Sequence, residues 1–132
     1  MLNPVRFQQE RTPLSLLRVP IPIDVVRVQT TATDIFTAAA GTEFHIMTLF
    51  AANHTATADF ITLHLVPASG SAGVTNRIVY EKAIPAKDYV AIFSVETPMI
   101  LQEGYTLQGL DGVDDSVNVW GWGYQYQGDY GA

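Results

Sequence analysis

From Ile23 onward the chain runs in short apolar stretches broken by Gly, Pro, Asn and Asp, and none sustains helical periodicity over about 11 residues. That spacing belongs to an all-β sandwich or barrel. Nine stretches qualify as strands: Asp24–Gln29, Asp34–Ala38, Glu43–Asn53, Ala58–Val66, Arg77–Ala83, Tyr89–Glu96, Met99–Gln102, Tyr105–Leu110 and Ser116–Tyr126. β-Branched and aromatic residues fill them, as a half-buried pleated surface prefers. In Glu43–Asn53, strict alternation places Phe44, Ile46, Thr48 and Phe50 on one face and His45, Met47 and Leu49 on the other. Both faces are partly apolar, which predicts a central strand. The polar run through Asn53, His54, Thr55 and Thr57 predicts a hairpin into the next strand. Pro67, Ser69, Gly70, Ser71 and Gly73 mark a loop, and Asp111-Gly112-Val113-Asp114-Asp115 a solvated turn.

The first 22 residues have another character. Pro4, Pro13, Pro20 and Pro22 fix φ, remove donors and press their predecessors toward extended geometry. Yet Leu14, Leu16, Leu17, Val19 and Ile21 make the segment apolar, whereas a disordered tail is polar. The expectation is an extended arm, residues 1–22, ahead of a sandwich domain, residues 23–132. Such an arm spans roughly 60–70 Å, so it can lie on its own domain or cross to a neighbouring subunit. The candidate partner-binding residues are Arg6, Arg11, Leu14, Leu16, Leu17, Arg18, Val19 and Ile21.

Charge separates the same two regions. Residues 1–27 carry a net +2 and the remainder −8. Overall, charged residues make up only 15% of 132 against 48% hydrophobic, where about 25% charged is usual. That shortage predicts that part of the surface is covered by copies of the chain or by partners. The net charge of −6 argues against a phosphate-backbone binder. No apolar run reaches about 18 residues, so no membrane partner is expected. With no cysteine there is no disulfide or thiolate metal site.

Few residues suggest chemistry. A nucleophile triad lacks its Cys and its Gly-x-Ser-x-Gly elbow. His45, His54 and His64 show no His-x-His or His-Glu-x-x-His spacing; two of them flank the expected hairpin, which leaves a shared metal site open against strand histidines bonded to backbone. Asp111, Asp114 and Asp115 form the densest acid cluster but lack the alternating ligands and distal Glu of a calcium loop. The most distinctive segment is Val117–Tyr126. As a strand it aligns Trp120, Trp122, Tyr124 and Tyr126 on one face, with Val119, Gly121, Gly123 and Gln125 opposite. Glycine inside a strand marks a bulge or a close backbone approach. The aromatic row suits a self-packed core, an oligomer interface or a sugar platform.

Four cues carry a resemblance: Asp34–Gly41 (DIFTAAAG), Ile61–Gly70 (ITLHLVPASG), Ile78–Ala86 (IVYEKAIPA) and Pro98–Gly109 (PMILQEGYTLQG). In this order the chain resembles small bacteriophage and prophage virion proteins over residues 30–110. Ala39 stands where the first cue carries proline, and both the leader and the aromatic tail lie outside the pattern. The resemblance implies a compact β-sandwich that assembles into a virus particle.

Together these readings predict an antiparallel β-sandwich, jelly-roll or Ig-like, of about eight strands with an extended N-terminal arm. The expected function is non-enzymatic: a phage capsid decoration or cement protein in the virion, assembled in the host cytoplasm. Its partners would be itself, as a trimer, and the major capsid protein or another virion protein, with no cofactor or metal. The alternatives are a tail, spike or head–tail accessory protein, and a carbohydrate-binding module using Trp120, Trp122 and Tyr124.

Overall fold

The computed structural model describes residues 18–127. Nine strands follow one another: β1 (Val19–Arg27), β2 (Thr33–Thr37), β3 (Thr42–Asn53), β4 (Asp59–Val66), β5 (Arg77–Ile84), β6 (Asp88–Phe93), β7 (Met99–Leu101), β8 (Thr106–Asp111) and β9 (Val117–Gln127). Among the described residues, one 3-10 turn, Val74–Asn76, interrupts them. The larger sheet has the order β1-β9-β3-β6, with β7 also paired to β3; the smaller has the order β2-β8-β4-β5. Every pairing is antiparallel.

The topology decides between the two expected sandwiches. β6 pairs with β3 at Leu49–Asn53, and β7 pairs along the same strand at Phe44–Ile46. These two are therefore one strand position interrupted by the loop at 94–98, which reduces nine strands to eight. Counted so, the first pairs with the eighth, the second with the seventh, the third with the sixth and the fourth with the fifth. That is one long hairpin rolled into two sheets, a jelly roll.

Three expectations change. The segment after β3 is no hairpin, because β3 and β4 belong to different sheets. It is a corner held by the buried side chain of Asn53. Asn53 Nδ2 donates to Thr57 O at 2.7 Å and Ile84 O at 3.2 Å, while its Oδ1 accepts from Thr55 N and Thr55 Oγ1. A polar residue survives 1% exposed here because every polar atom is satisfied. Second, the ladder begins at Val19 rather than Asp24, with Pro20 and Pro22 inside β1. Proline is tolerated because β1 is an edge strand, so its missing N–H faces away from β9.

The third change is the alternation of β3. Phe44 and Ile46 point into the core, but so do Leu49 and Ala51, while Thr48 and Phe50 turn outward. A bulge between Ile46 and Thr48 inserts one residue, Met47, and reverses the faces beyond it. Its counterpart on β9 is a pair of glycines. A Cβ on Gly121 would lie 2.1 Å from the Thr48 carbonyl oxygen; one on Gly123 would lie 2.2 Å from that of His45 and 2.7 Å from the Phe44 ring. The bulged backbone fills the space where side chains would otherwise stand.

Between the sheets lies one core. Ile23, Phe44, Ile46, Leu49, Val117 and Val119 from the larger sheet meet Ile35, Ile61, Leu63, Ile84 and Leu107 from the smaller. Phe36 bridges them against Phe44, ring centroids 4.1 Å apart. Since no side chain fits at the glycine pair, Gly121→Ala is expected to lower the unfolding free energy by about 3 kcal/mol through overpacking. Urea denaturation checks this, and a change below about 0.5 kcal/mol would show that β3 does not press on β9 as described.

Candidate assembly interface on the larger sheet

The outer faces of the two sheets differ in chemistry. On the smaller sheet, β5 exposes Ile78 and Tyr80, the latter under the Arg77 guanidinium, but most other outward groups are polar and bonded: Thr37 with Thr106 (2.8 Å), Gln108 Nε2 to Asp34 (2.7 Å), and Glu81 N to Thr62 Oγ1 (3.0 Å). The loop 67–76 folds back over its centre. There His64, 6% exposed, donates from Nδ1 to Gly73 O and Asn76 Oδ1. This is the water-facing or self-covered side expected of an antiparallel sheet.

The larger sheet presents aromatic rings and proline instead. β9 places Trp120, Trp122, Tyr124 and Tyr126 outward, all half-buried. The row expected from alternation is present because β9 itself carries no bulge opposite β1 over Gly121–Gln125. On one flank exposed Pro20 and Pro22 stand opposite Tyr124 and Trp122. On the other, His45, Thr48 and Phe50 of β3 stand opposite Tyr124, Trp122 and Trp120. Phe50 faces outward only because of the bulge, and no reading of alternation placed it there. It stacks on Trp120 at 5.6 Å and meets Tyr89 of β6 edge-on at 6.2 Å. Trp122 and Tyr124 make a T-shaped pair at 5.1 Å. The band ends on exposed residues, Tyr89 at 62% and Ile100 at 45%.

Polar groups frame the band rather than interrupt it. The Arg18 guanidinium lies 4.3 Å from the Tyr124 ring centroid. His45 packs its ring 4.4 Å from Tyr126 and bonds Nε2 to Glu43 at 2.7 Å. Cation–π contact keeps Arg18 over the tyrosine at a gain of about 0.5–1 kcal/mol. Amphipathic rings rimmed by charge are the composition enriched in protein interfaces.

The expected arm residues divide. Arg6, Arg11, Leu14, Leu16 and Leu17 lie outside the described residues. Arg18 and Val19 are exposed at the start of β1. Ile21 packs inward against this subunit's own core, opposite Gly123, because the ladder reaches back to Val19.

The other candidate sites resolve into structural roles. The three histidines are separated: His45 lies on the larger sheet, His64 on the smaller, and His54 bonds through Nε2 to Asp115 O. Among the described residues, no group of three or more His, Cys, Asp or Glu side chains is placed to hold a metal. The acids of residues 111–115 are acceptors, Asp111 and Asp114 for backbone N–H groups and Asp115 for a side-chain amide. Asp114 accepts from Thr30 N, Asp115 from Gln29 Nε2, and Asp111 Oδ2 from Ser116 N and Val117 N. Asp59 accepts from Phe60 N, Gly112 N and Val113 N at the edge of a cleft of about 360 Å³.

One member of this turn is not solvated as the sequence suggests. Asp111 is the last residue of β8 and faces inward, 2% exposed, with Oδ1 buried and unpartnered. Burial, and then the nearby Asp59 charge, push its carboxyl up from 3.8 to about 6 against the two N–H donors. Asp114, on the surface, is held below the usual carboxylate range by its bonds to Thr30.

No protein-family profile and no curated protein sequence matches the chain. Among the solved structures similar to it, two illustrate the likeness, both at low identity. One is from Bacillus endospore appendages, a family of disulfide-linked pili, at 13% identity and a TM-score of 0.49, covering 83% of this chain and 88% of that one. The other belongs to the infectious bursal disease virus Gx strain, at 14% and 0.44, covering 83% of this chain and 31% of that one.

The raised carboxyl has a definite sign. The folded protein binds the Asp111 proton more tightly than the unfolded chain, so this contribution to stability is full below about pH 4 and lost as pH rises through about 6. Thermal melts should therefore show Tm falling between pH 5 and pH 7.5, and Asp111→Asn should flatten that fall. An unchanged slope in the variant would remove Asp111 as its source.

Proposed function

We propose that this chain is a non-enzymatic structural subunit of a virus particle, a bacteriophage capsid decoration or cement protein that associates with itself and with the shell. The observation that carries this reading is the contrast between the sheets: one outer face is mostly polar and self-satisfied, the other a band rich in Trp, Tyr, Phe and Pro. A contiguous apolar face of this kind on a soluble domain marks an interaction site. The low proportion of charge, 15%, fits a subunit that hides surface in an assembly.

The physical work of such a subunit is linkage. Binding across neighbouring shell proteins stabilises the bound state by mass action, without any chemical step. A closed trimer hides three copies of the band at once, since cyclic symmetry leaves no unsatisfied patch. The phage assignment rests on the resemblance of residues 30–110 to phage virion proteins, and the arm adds reach from one subunit to the next. A tail or head–tail position uses the same band and the same arm.

A sugar platform is the competing use of Trp120, Trp122 and Tyr124, and one variant separates the two. Trp122 points away from the core, so Trp122→Ala should leave the fold intact. Sedimentation at micromolar concentration is expected to show a trimer for the wild type. For the variant, association should be about 30-fold weaker, the loss typical of an interfacial tryptophan. A wild-type monomer at that concentration, with glycan binding that disappears in Trp122→Ala, would replace the assembly reading with the carbohydrate-binding one.

A further inference from the structure

Four edges bound the two sheets: β1 and the β6–β7 line in the larger, β2 and β5 in the smaller. Three carry devices that stop a further strand from pairing. β1 has Pro20 and Pro22, which offer no donor to a newcomer. β2 is only five residues long and slips register between Asp34 and Phe36. β5 slips register twice, holds Glu81 at φ +48, and carries the charges of Arg77, Glu81 and Lys82.

β6 is the least protected: its one charge, Asp88, stands at its start, and its one register slip falls at Ile92, next to its end. Tyr89-Val90-Ala91-Ile92-Phe93 contains no proline, glycine or charged residue. Tyr89, Val90 and Ala91 pair in unbroken register with Ala52, Ala51 and Phe50. On its other side β6 has no strand partner among the described residues. An open, largely apolar edge invites aggregation unless something covers it.

We propose that the β6 edge is covered by residues 5–12 of a second copy of this chain, added as a further strand of the larger sheet. This rests on the assembly reading and names where the arm lands. The segment Val5–Thr12 lies between Pro4 and Pro13 and contains no proline itself, so every residue keeps its N–H. It is about 27 Å long when extended, more than the roughly 20 Å of a six-residue strand. Arg6 and Arg11 give it a positive balance over Glu10, whereas exposed Asp88 and Glu96 lie at the two ends of β6, with Lys87 beside the first. Main-chain bonding supplies the attachment and these charges only bias it, since exposed pairs contribute about 0–1 kcal/mol.

Distance selects the neighbouring copy over the same chain. Val19 stands opposite Gln125, which stands opposite Phe44, while Phe93 stands opposite Leu49. Four inter-strand steps and five residues along β3 thus separate Val19 from the strand position beyond β6, roughly 25 Å. The seven steps from Thr12 to Val19 reach about 25 Å at full stretch. Only a fully taut connection would meet this distance, which leaves no slack to cross the sheet within one chain.

Amide hydrogen exchange on the full chain tests the proposal. The variant Phe7→Pro with Glu10→Pro removes a donor on each side of the arm strand and leaves the sandwich untouched. In the wild type the outward amides of Tyr89–Ile92 should be protected, and in the variant they should exchange about 100-fold faster while β3 and β9 amides stay unchanged. Adding excess unlabelled wild type to labelled variant should restore protection, because the donor strand then comes from another molecule. Equal exchange at β6 in both proteins, in a wild type that still sediments as an oligomer, would overturn the edge assignment and leave the assembly reading standing. Protection in the wild type that unlabelled copies cannot restore to the variant would place the strand within one chain and overturn the exchange between copies.

Discussion

The rest of the architecture depends on how closely β9 approaches β3. Carbonyl oxygens of His45 and Thr48 occupy the positions where Cβ atoms of Gly123 and Gly121 would stand. Only glycine permits this, and it allows the Met47 bulge to sit in the middle of a sheet rather than at its rim. Two consequences follow. The Phe44 ring lies beneath Gly123, filling the space left by the missing side chain. Beyond the bulge, Leu49 and Ala51 turn into the core while Phe50 turns out to join Trp120. One inserted residue thus completes the core and widens the aromatic band.

Polar groups close the ends of the roll. Asn53 satisfies the corner between the sheets, and Asp59, Asp111, Asp114 and Asp115 tie the β8–β9 turn to the segments around it. Asp59, Asp111 and Asp114 accept from backbone N–H groups, which a loop-rich end must satisfy somewhere, and Asp115 from the Gln29 side chain. Asp111 is the one placed deep enough for burial to shift its proton affinity. An acidic cluster that looks like a cation site in one dimension is, in three, a set of caps.

With one outer face covered by its own loop and the other left aromatic, the sandwich is asymmetric. Beside exposed Ile78 and Tyr80 on β5, the smaller sheet engages most of its outward residues in Thr, Gln, Asp and His pairs. The larger one exposes rings whose contact energy is realised only against another surface. The same asymmetry holds for the edges, three of which are more strongly blunted than the fourth. An uncovered face and a weakly protected edge on the same sheet suit an assembling subunit better than a free monomer.

Local patterning was enough to determine the nine strand stretches, the absence of long helices, the outward row of Trp120 to Tyr126 and the meaning of Gly121 and Gly123. Each of these depends on residues adjacent in the chain, through a period of two and the conformational limits of Gly and Pro. Tertiary structure alone decided the rest. A bulge at Met47 reversed the faces of β3, because nothing in a run of apolar residues marks which one is extra. The segment after Asn53 became a corner between sheets, since its buried partner Ile84 O lies 31 residues away. β6 and β7 share one strand position because β3, far from both in sequence, is long enough to pair with each. Asp111 became buried by packing against Asp59 and the start of β9, contacts no local pattern encodes. Register, sheet membership and burial are long-range quantities, and a sequence read along its length carries them only implicitly.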